Sequence, residues 1–158
     1  MDRVGLQTLK DELLADAAEA ASALELARQR QQTPGPAGLE AAGFQLSRLY
    51  NIVEQMALRV AKAFENNIDD ESRWHTELMR RLSLEIKGVR PPLWLPALTA
   101  PLGHLRGFRH IFNHAYDLAI DPERLALVVR DAETIVRTLP GACESFVAEV
   151  ARREQWEV

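Results

Sequence analysis

Residues 44–64 read FQLSRLYNIVEQMALRVAKAF. Phe44, Leu46, Leu49, Tyr50, Val53, Met56, Val60 and Phe64 form the apolar stripe of a helix, mostly at three- and four-residue spacings. The stretch is far too long for a buried strand. It predicts a helix from about Leu39 to Asn66, ended by Asn66-Asn67-Ile68-Asp69-Asp70.

The rest of the chain follows the same pattern. Leu6, Leu9, Leu13, Leu14, Ala17, Ala21, Leu24 and Ala27 predict a first helix over 2–32, with Asp2 as its cap. Thr33-Pro34-Gly35-Pro36-Ala37-Gly38 breaks it. Trp74, Leu78, Leu82 and Ile86 recur every four residues and predict a third helix from about Glu71 to Lys87, stopped by Gly88. Pro91, Pro92, Pro96 and Pro101 make 88–101 irregular, with room for short helical turns around Leu93–Thr99. A fourth helix is expected over about 102–119. A fifth begins at the cap Asp121 with Pro122 in its first turn, and Pro140-Gly141 is expected to kink or split it. No segment alternates with period two for long enough to be a strand. The fold class is therefore all-α, an antiparallel bundle of four to five helices within one domain, residues 1–158. One helix cannot bury its stripe alone, so residues 1–32 are expected to pack on the remainder.

Composition narrows the classes. The 158 residues are 47% apolar and 27% charged, with a net charge of −4. No apolar run approaches a membrane span, and Met1-Asp2-Arg3-Val4-Gly5 does not begin a secretory leader, so a cytoplasmic protein is expected. Cys143 is the sole cysteine, which excludes an internal disulfide and any multi-cysteine metal site. The acidic balance argues against a surface coated in nucleic acid. It is uneven, however. From Arg73 to Tyr116 seven Arg and Lys stand against two Glu, so this window carries +5 and the remainder −9. All four histidines, 75, 104, 110 and 114, lie in it. Such a window either holds a phosphate backbone locally or is a basic stretch arisen by chance.

The fourth helix concentrates the reactive groups. At roughly 100° per residue, Leu105, Phe108, Phe112, Ala115 and Ala119 fall on one apolar arc. Arg106, Arg109, His110, Asn113 and His114 make a polar face, flanked by Gly103 and Gly107, while Tyr116 lies between Arg109 and the apolar arc. Each helical glycine costs on the order of 1 kcal/mol relative to alanine. Close approach of another backbone, as from a symmetry mate, would offset that; alternatively Gly103 lies in a loop before the helix. Arginine grips phosphate oxygens with a permanent charge, and histidine exchanges a proton near neutral pH. Cleaving RNA through its own 2′-hydroxyl needs a base, an acid and a cation, but no metal. One Arg and one His barely suffice, whereas two copies across a two-fold axis supply every role. Three plainer readings stand beside this one. The histidines are ordinary polar residues, His110 and His114 share a face on which they can bind a metal, and Tyr116 is a boundary aromatic. Trp94 is read as a packed anchor or as a base-stacking platform, and Trp74 as core.

The string Arg109-x4-His114-x-Tyr116, late in the fourth helix of an all-α chain of this length, resembles the HEPN superfamily, and within it the HepT-like toxins of prokaryotic toxin–antitoxin pairs. Leu49-Tyr50-Asn51-Ile52-Val53-Glu54 and Trp74-His75 extend the resemblance, which spans about Leu39 to Arg137. It implies a metal-independent endoribonuclease without cofactor, active as a homodimer, in which Arg109 and His114 are catalytic. His110, Asn113 and Arg106 are candidates for an assisting role. It further implies a partner antitoxin of minimal nucleotidyltransferase (MNT) type that transfers AMP to Tyr116. A second function class is a non-catalytic helical module that binds such a nucleotidyltransferase or a nucleotide. A third and weaker one is a four-helix metal protein.

Overall fold

The computed structural model describes residues 1–65, 74–114 and 119–156, with the backbone alone for 74–76. Among the described residues there are five α-helices: α1 Arg3–Gln31, α2 Pro36–Phe64, α3 Trp74–Arg81, α4 Thr99–His114 and α5 Pro122–Arg153. No strand occurs among the described residues, only an isolated antiparallel bridge between Ile86 and Arg90. No described helix is long and apolar enough to cross a membrane.

Two helix starts follow the local signals in the sequence. The Asp2 carboxylate accepts from the Gly5 N–H at 2.7 Å, and the Asp121 carboxylate accepts from the Glu123 N–H at 3.0 Å. Pro36 and Pro122 occupy first-turn positions, where no N–H is missed. α1 and α2 form an antiparallel hairpin. Its register appears in Arg59, which reaches Asp16 at 2.7 Å and Glu12 at 3.2 Å, and in Arg48, which reaches Glu19 at 2.6 Å. Ala17, Ala20, Ala23 and Ala27 line the α1 side of the core, and their small side chains let α2 come close. α5 closes the bundle with Leu125, Val129, Ala132, Ile135, Leu139 and Phe146, and Phe146 meets Phe64 edge-on at 5.6 Å.

Several expectations are corrected by the packing. Phe44 stands off the stripe of α2 and is 59% exposed. Pro140 does not split the last helix, which runs unbroken from Pro122 to Arg153. Thr138 donates to the Thr134 carbonyl at 2.7 Å in the turn before it. α4 starts at Thr99, earlier than its spacing suggests, after a 3-10 turn at Pro96–Leu98. Gly103 and Gly107 are therefore inside the helix, and Gly103 is not in a loop. Trp94 is 2% exposed and serves as a packed anchor.

The largest departure concerns α3. It ends at Arg81 rather than Lys87, and the chain turns through Gly88, whose φ of 76° suits glycine. The cause is Arg90, which has no exposed surface. Its guanidinium donates to Glu65 at 2.8 and 2.6 Å, to the Arg81 and Leu84 carbonyls at 3.2 Å each, and to the Pro91 carbonyl at 3.2 Å. All five guanidinium donors are thereby used. Arg81 closes on the other oxygen of Glu65. Continuing the helix would take the Arg81 and Leu84 carbonyls away from Arg90 and leave its charge unsatisfied.

α2 and α4 approach closely at Gly43. A Cβ placed there would lie 2.7 Å from the Phe112 ring, which itself stacks on Phe108 at 5.9 Å. Gly43→Ala gains about 1 kcal/mol of helix propensity but incurs about 1–3 kcal/mol of overpacking. We expect a lower melting temperature for Gly43→Ala, whereas Gly141→Ala, which meets open space in α5, should raise it by about 2–4 °C. A rise in both variants would show that α2 and α4 do not make this contact. In chemical denaturation, Glu65→Leu should lower stability by about 3–5 kcal/mol, because it strands the buried Arg90 cation. A loss below about 1 kcal/mol would show that Arg90 finds another counter-charge.

Candidate functional site

Of the apolar arc on α4, Leu105 and Phe108 are buried, as is Leu102, and Phe112 packs on the core. Ala115 lies outside the described residues, and Ala119, placed on that arc by the expected helix over 102–119, is exposed and not helical. The polar face does not stay together. Arg109 turns toward α2, while His110, Asn113 and His114 are exposed. Arg109 and His114 are five residues apart, hence roughly 140° around the helix and about 7.5 Å along it.

Arg109 is held by one turn of α2. Its Nη1 donates to Asn51 Oδ1 at 2.6 Å and to Glu54 Oε2 at 3.2 Å. The guanidinium carbon sits 4.5 Å from the centroid of the Tyr50 ring. A cation over a ring contributes about 0.5–2 kcal/mol, more as water is excluded. The Arg109 side chain keeps 25% of its surface and that of Glu54 only 9%. The buried carboxylate therefore relies on a cation that still reaches solvent. Among the described residues Nη1 takes both bonds, and the Nε and Nη2 hydrogens have no partner there.

Sequence reasoning did not assign Tyr50, Asn51 and Glu54 to this site, although it singled out their hexapeptide. A signal was present: a carboxylate next to Val53 and one turn after Tyr50, on a helix face otherwise apolar, requires a cation. Tyr50 is itself fully buried, and its hydroxyl has no hydrogen-bond partner among the described residues. Burial and then the Glu54 charge push its pKa up to about 12, against the opposing pull of Arg109 and Arg106.

The two motif histidines form a unit of their own. Their rings stack with centroids 4.5 Å apart. His114 Nδ1 lies 2.8 Å from the His110 carbonyl oxygen. A carbonyl only accepts, so Nδ1 carries the hydrogen and the neutral ring keeps its lone pair on Nε2. His104 leaves the group, as its place on the wheel suggests: it faces α5 and meets Asp131 at 3.0 Å. Among the described residues no group of three His, Cys, Asp or Glu converges around the pair. Tyr116 lies outside the described residues, as do the side chains of Trp74 and His75.

The basic window is largely neutralised from within. Arg81 and Arg90 turn inward to Glu65, Arg80 pairs with Glu77 at 2.8 Å, and Arg109 pairs with Glu54. Arg106 is exposed and forms no ion pair among the described residues. Lys87, beyond α3, is exposed as well and forms no ion pair among the described residues, and Arg73 lies outside them. On α4 the open charge is on the outer side of the helix. There Gly103 and Gly107 are exposed, and a Cβ added at either meets open space.

Comparison with curated proteins and with solved structures gives no match. The model of one family, described as HepT-like protein, matches residues 41–150. The match takes in α2 to α5, including the clamp around Arg109, and runs past Arg137 through most of α5. The chain, all-α and carrying Arg109 and His114 on one helix, is a HepT-like member of the HEPN superfamily.

Proposed function

We propose that this chain is a metal-independent endoribonuclease toxin in which His114 and Arg109 do the chemistry. The observation that carries the reading is the 2.8 Å contact of His114 Nδ1 with the His110 carbonyl oxygen. The His114 Nδ1–H is tied to that carbonyl, so Nε2 stands as a base on an exposed helix face. That base takes the proton of an RNA 2′-hydroxyl, and the oxygen attacks the adjoining phosphorus. A 2′,3′-cyclic phosphate forms as the 5′-oxygen leaves and takes a proton from a second imidazolium. Arg109 directs its unused donors at the phosphoryl charge that builds up meanwhile.

One chain separates Arg109 from His114, so the reading includes a homodimer in which α4 meets its symmetry mate. The exposed glycines at 103 and 107 support such an approach. His110, stacked on His114, and Arg106, one turn before Arg109, assist. The substrate places the protein in the cytoplasm. Control by an MNT-type antitoxin completes the reading. The Tyr116 phenol attacks the α-phosphorus of ATP, pyrophosphate leaves, and the resulting AMP group sets negative charge beside the motif.

A second reading has its own support. Arg109 is already bound to Asn51 and Glu54, as a purely structural arginine would be, which suits a non-catalytic module for a nucleotidyltransferase or a nucleotide.

Cleavage of RNA in EDTA separates the two. We expect wild-type cleavage to survive the chelator and His114→Ala, at an exposed position, to lose about 10²–10⁴-fold without loss of stability. Arg109→Ala removes one partner of buried Glu54 and is expected to destabilise as well, so Arg109→Lys is the cleaner probe. It keeps the charge, loses the fork, and should fall about 100-fold or more. Full cleavage by both His114→Ala and Arg109→Lys would remove the assignment. After incubation with the antitoxin and ATP, the intact mass should rise by one or more AMP units in wild type and not in Tyr116→Phe. AMP on that variant would show that another residue is the acceptor.

A further inference from the structure

A pocket of about 230 Å³ opens between α2, α3 and α4 beside Arg109. Its walls are unlike in character. Met79 and Leu102 are buried and apolar, Arg80 and Arg106 are exposed and cationic, and Gly103 presents no side chain. Tyr50 lines it too. The ring of Tyr50 supports Arg109, and its hydroxyl is the orphaned polar atom noted above. A buried hydroxyl without a partner costs about 1–3 kcal/mol, so it calls for a ligand atom that donates or accepts. Arg106 lines the same pocket as Tyr50. Glu77 holds Arg80 with two hydrogen bonds, at 2.8 and 3.3 Å.

The pocket is smaller than a drug-sized site, of a size for a single ring system, and its faces are apolar. A phosphate alone would leave Met79 and Leu102 unmatched. A flat heteroaromatic ring with polar edges fits both kinds of wall, and unstacked bases are how proteins read single-stranded RNA. We propose that this pocket takes one nucleobase of the RNA strand, with the Tyr50 hydroxyl bonded to its edge and Arg106 and Arg80 holding the adjoining phosphate. This rests on RNA being the substrate and gives the motif a sequence preference: the phosphate attached to the bound base is placed along the Arg106–Arg109 side of α4.

The test measures binding and cleavage separately. The four nucleoside 5′-monophosphates are titrated onto the full chain by ligand-observed NMR, with inorganic phosphate as competitor. Cleavage sites in a random-sequence RNA are then read by sequencing. One base should bind about fivefold or more tighter than the weakest. Tyr50→Phe should bring the four within about twofold, with an unchanged or higher melting temperature because the orphaned hydroxyl is gone. Gly103→Leu, whose side chain starts in open space and fills the pocket, should weaken all four about tenfold, and Gly103→Ala should keep the preference. Cleavage sites should show the same base preference in wild type and lose it in Tyr50→Phe.

Equal binding of all four, untouched by Gly103→Leu, overturns the proposal. So does displacement of every nucleotide by phosphate at equal concentration, which would mark a phosphate site alone. Unchanged nucleotide binding in Gly103→Leu also overturns it, whatever the oligomeric state of that variant. Base-selective, Gly103-sensitive binding without any RNA cleavage keeps the pocket and removes the nuclease reading. Cleavage without base preference does the reverse.

Discussion

A guanidinium with no exposed surface decides where the second half of this chain lies. Arg90 is buried together with Glu65, and taking such a pair out of water costs several kcal/mol unless each donor is matched. Here each is matched, two by the Glu65 carboxylate and three by carbonyls at Arg81, Leu84 and Pro91. That network joins the end of α2 to the end of α3 and to the proline-rich connector. α3 stops where its last carbonyl, at Arg81, and the Leu84 carbonyl just beyond it serve Arg90, and the connector then carries the chain into α4. The position of the motif helix thus follows from an ion pair that contains no motif residue.

The site uses a looser version of the same device. Glu54, also on α2, takes a cation from α4, but Arg109 keeps a quarter of its side-chain surface. A pair whose arginine is fully buried is committed to structure. A half-buried one holds its arginine in a fixed place while leaving donors for a ligand. The Tyr50 ring stiffens the arrangement, and the contact of Phe112 with Gly43 sets the spacing between α2 and α4. Arg109 is thereby preorganised from α2, whereas His114 is oriented within α4 by the His110 carbonyl. The cation and the base have separate supports. A substitution that loosens α2 against α4 should therefore disturb Arg109 and spare His114.

Net charge was a poor guide to surface potential. The window from Arg73 to Tyr116 carries +5, yet Arg81, Arg90, Arg80 and Arg109 all meet carboxylates. Charges placed close in sequence do not add at the surface when some of them turn inward. Among the described residues of that window Arg106 and Lys87 stay open, on separate segments. That suits contact with a few nucleotides better than the long phosphate track a basic stretch suggests.

By itself the sequence determined that the chain is helical, two of the helix caps and the inward residues Leu105 and Phe108 of α4, because 3.6-residue periodicity and capping act within a few residues, but it set the end of α3 and the start of α4 wrongly. Asp2, Asp121 and Pro122 lie where local rules put them, and Leu105 and Phe108 face inward as the wheel requires. The family, too, was legible, since Arg109, His114 and Tyr116 stand at readable spacings. Only the tertiary structure decided which charges meet. Glu65 finds Arg90 across 25 residues, and Glu54 finds Arg109 across 55. No local rule selects one arginine from the several available. The choice falls to the pair whose burial leaves the fewest donors and acceptors unmatched, and that quantity exists only once the helices are packed.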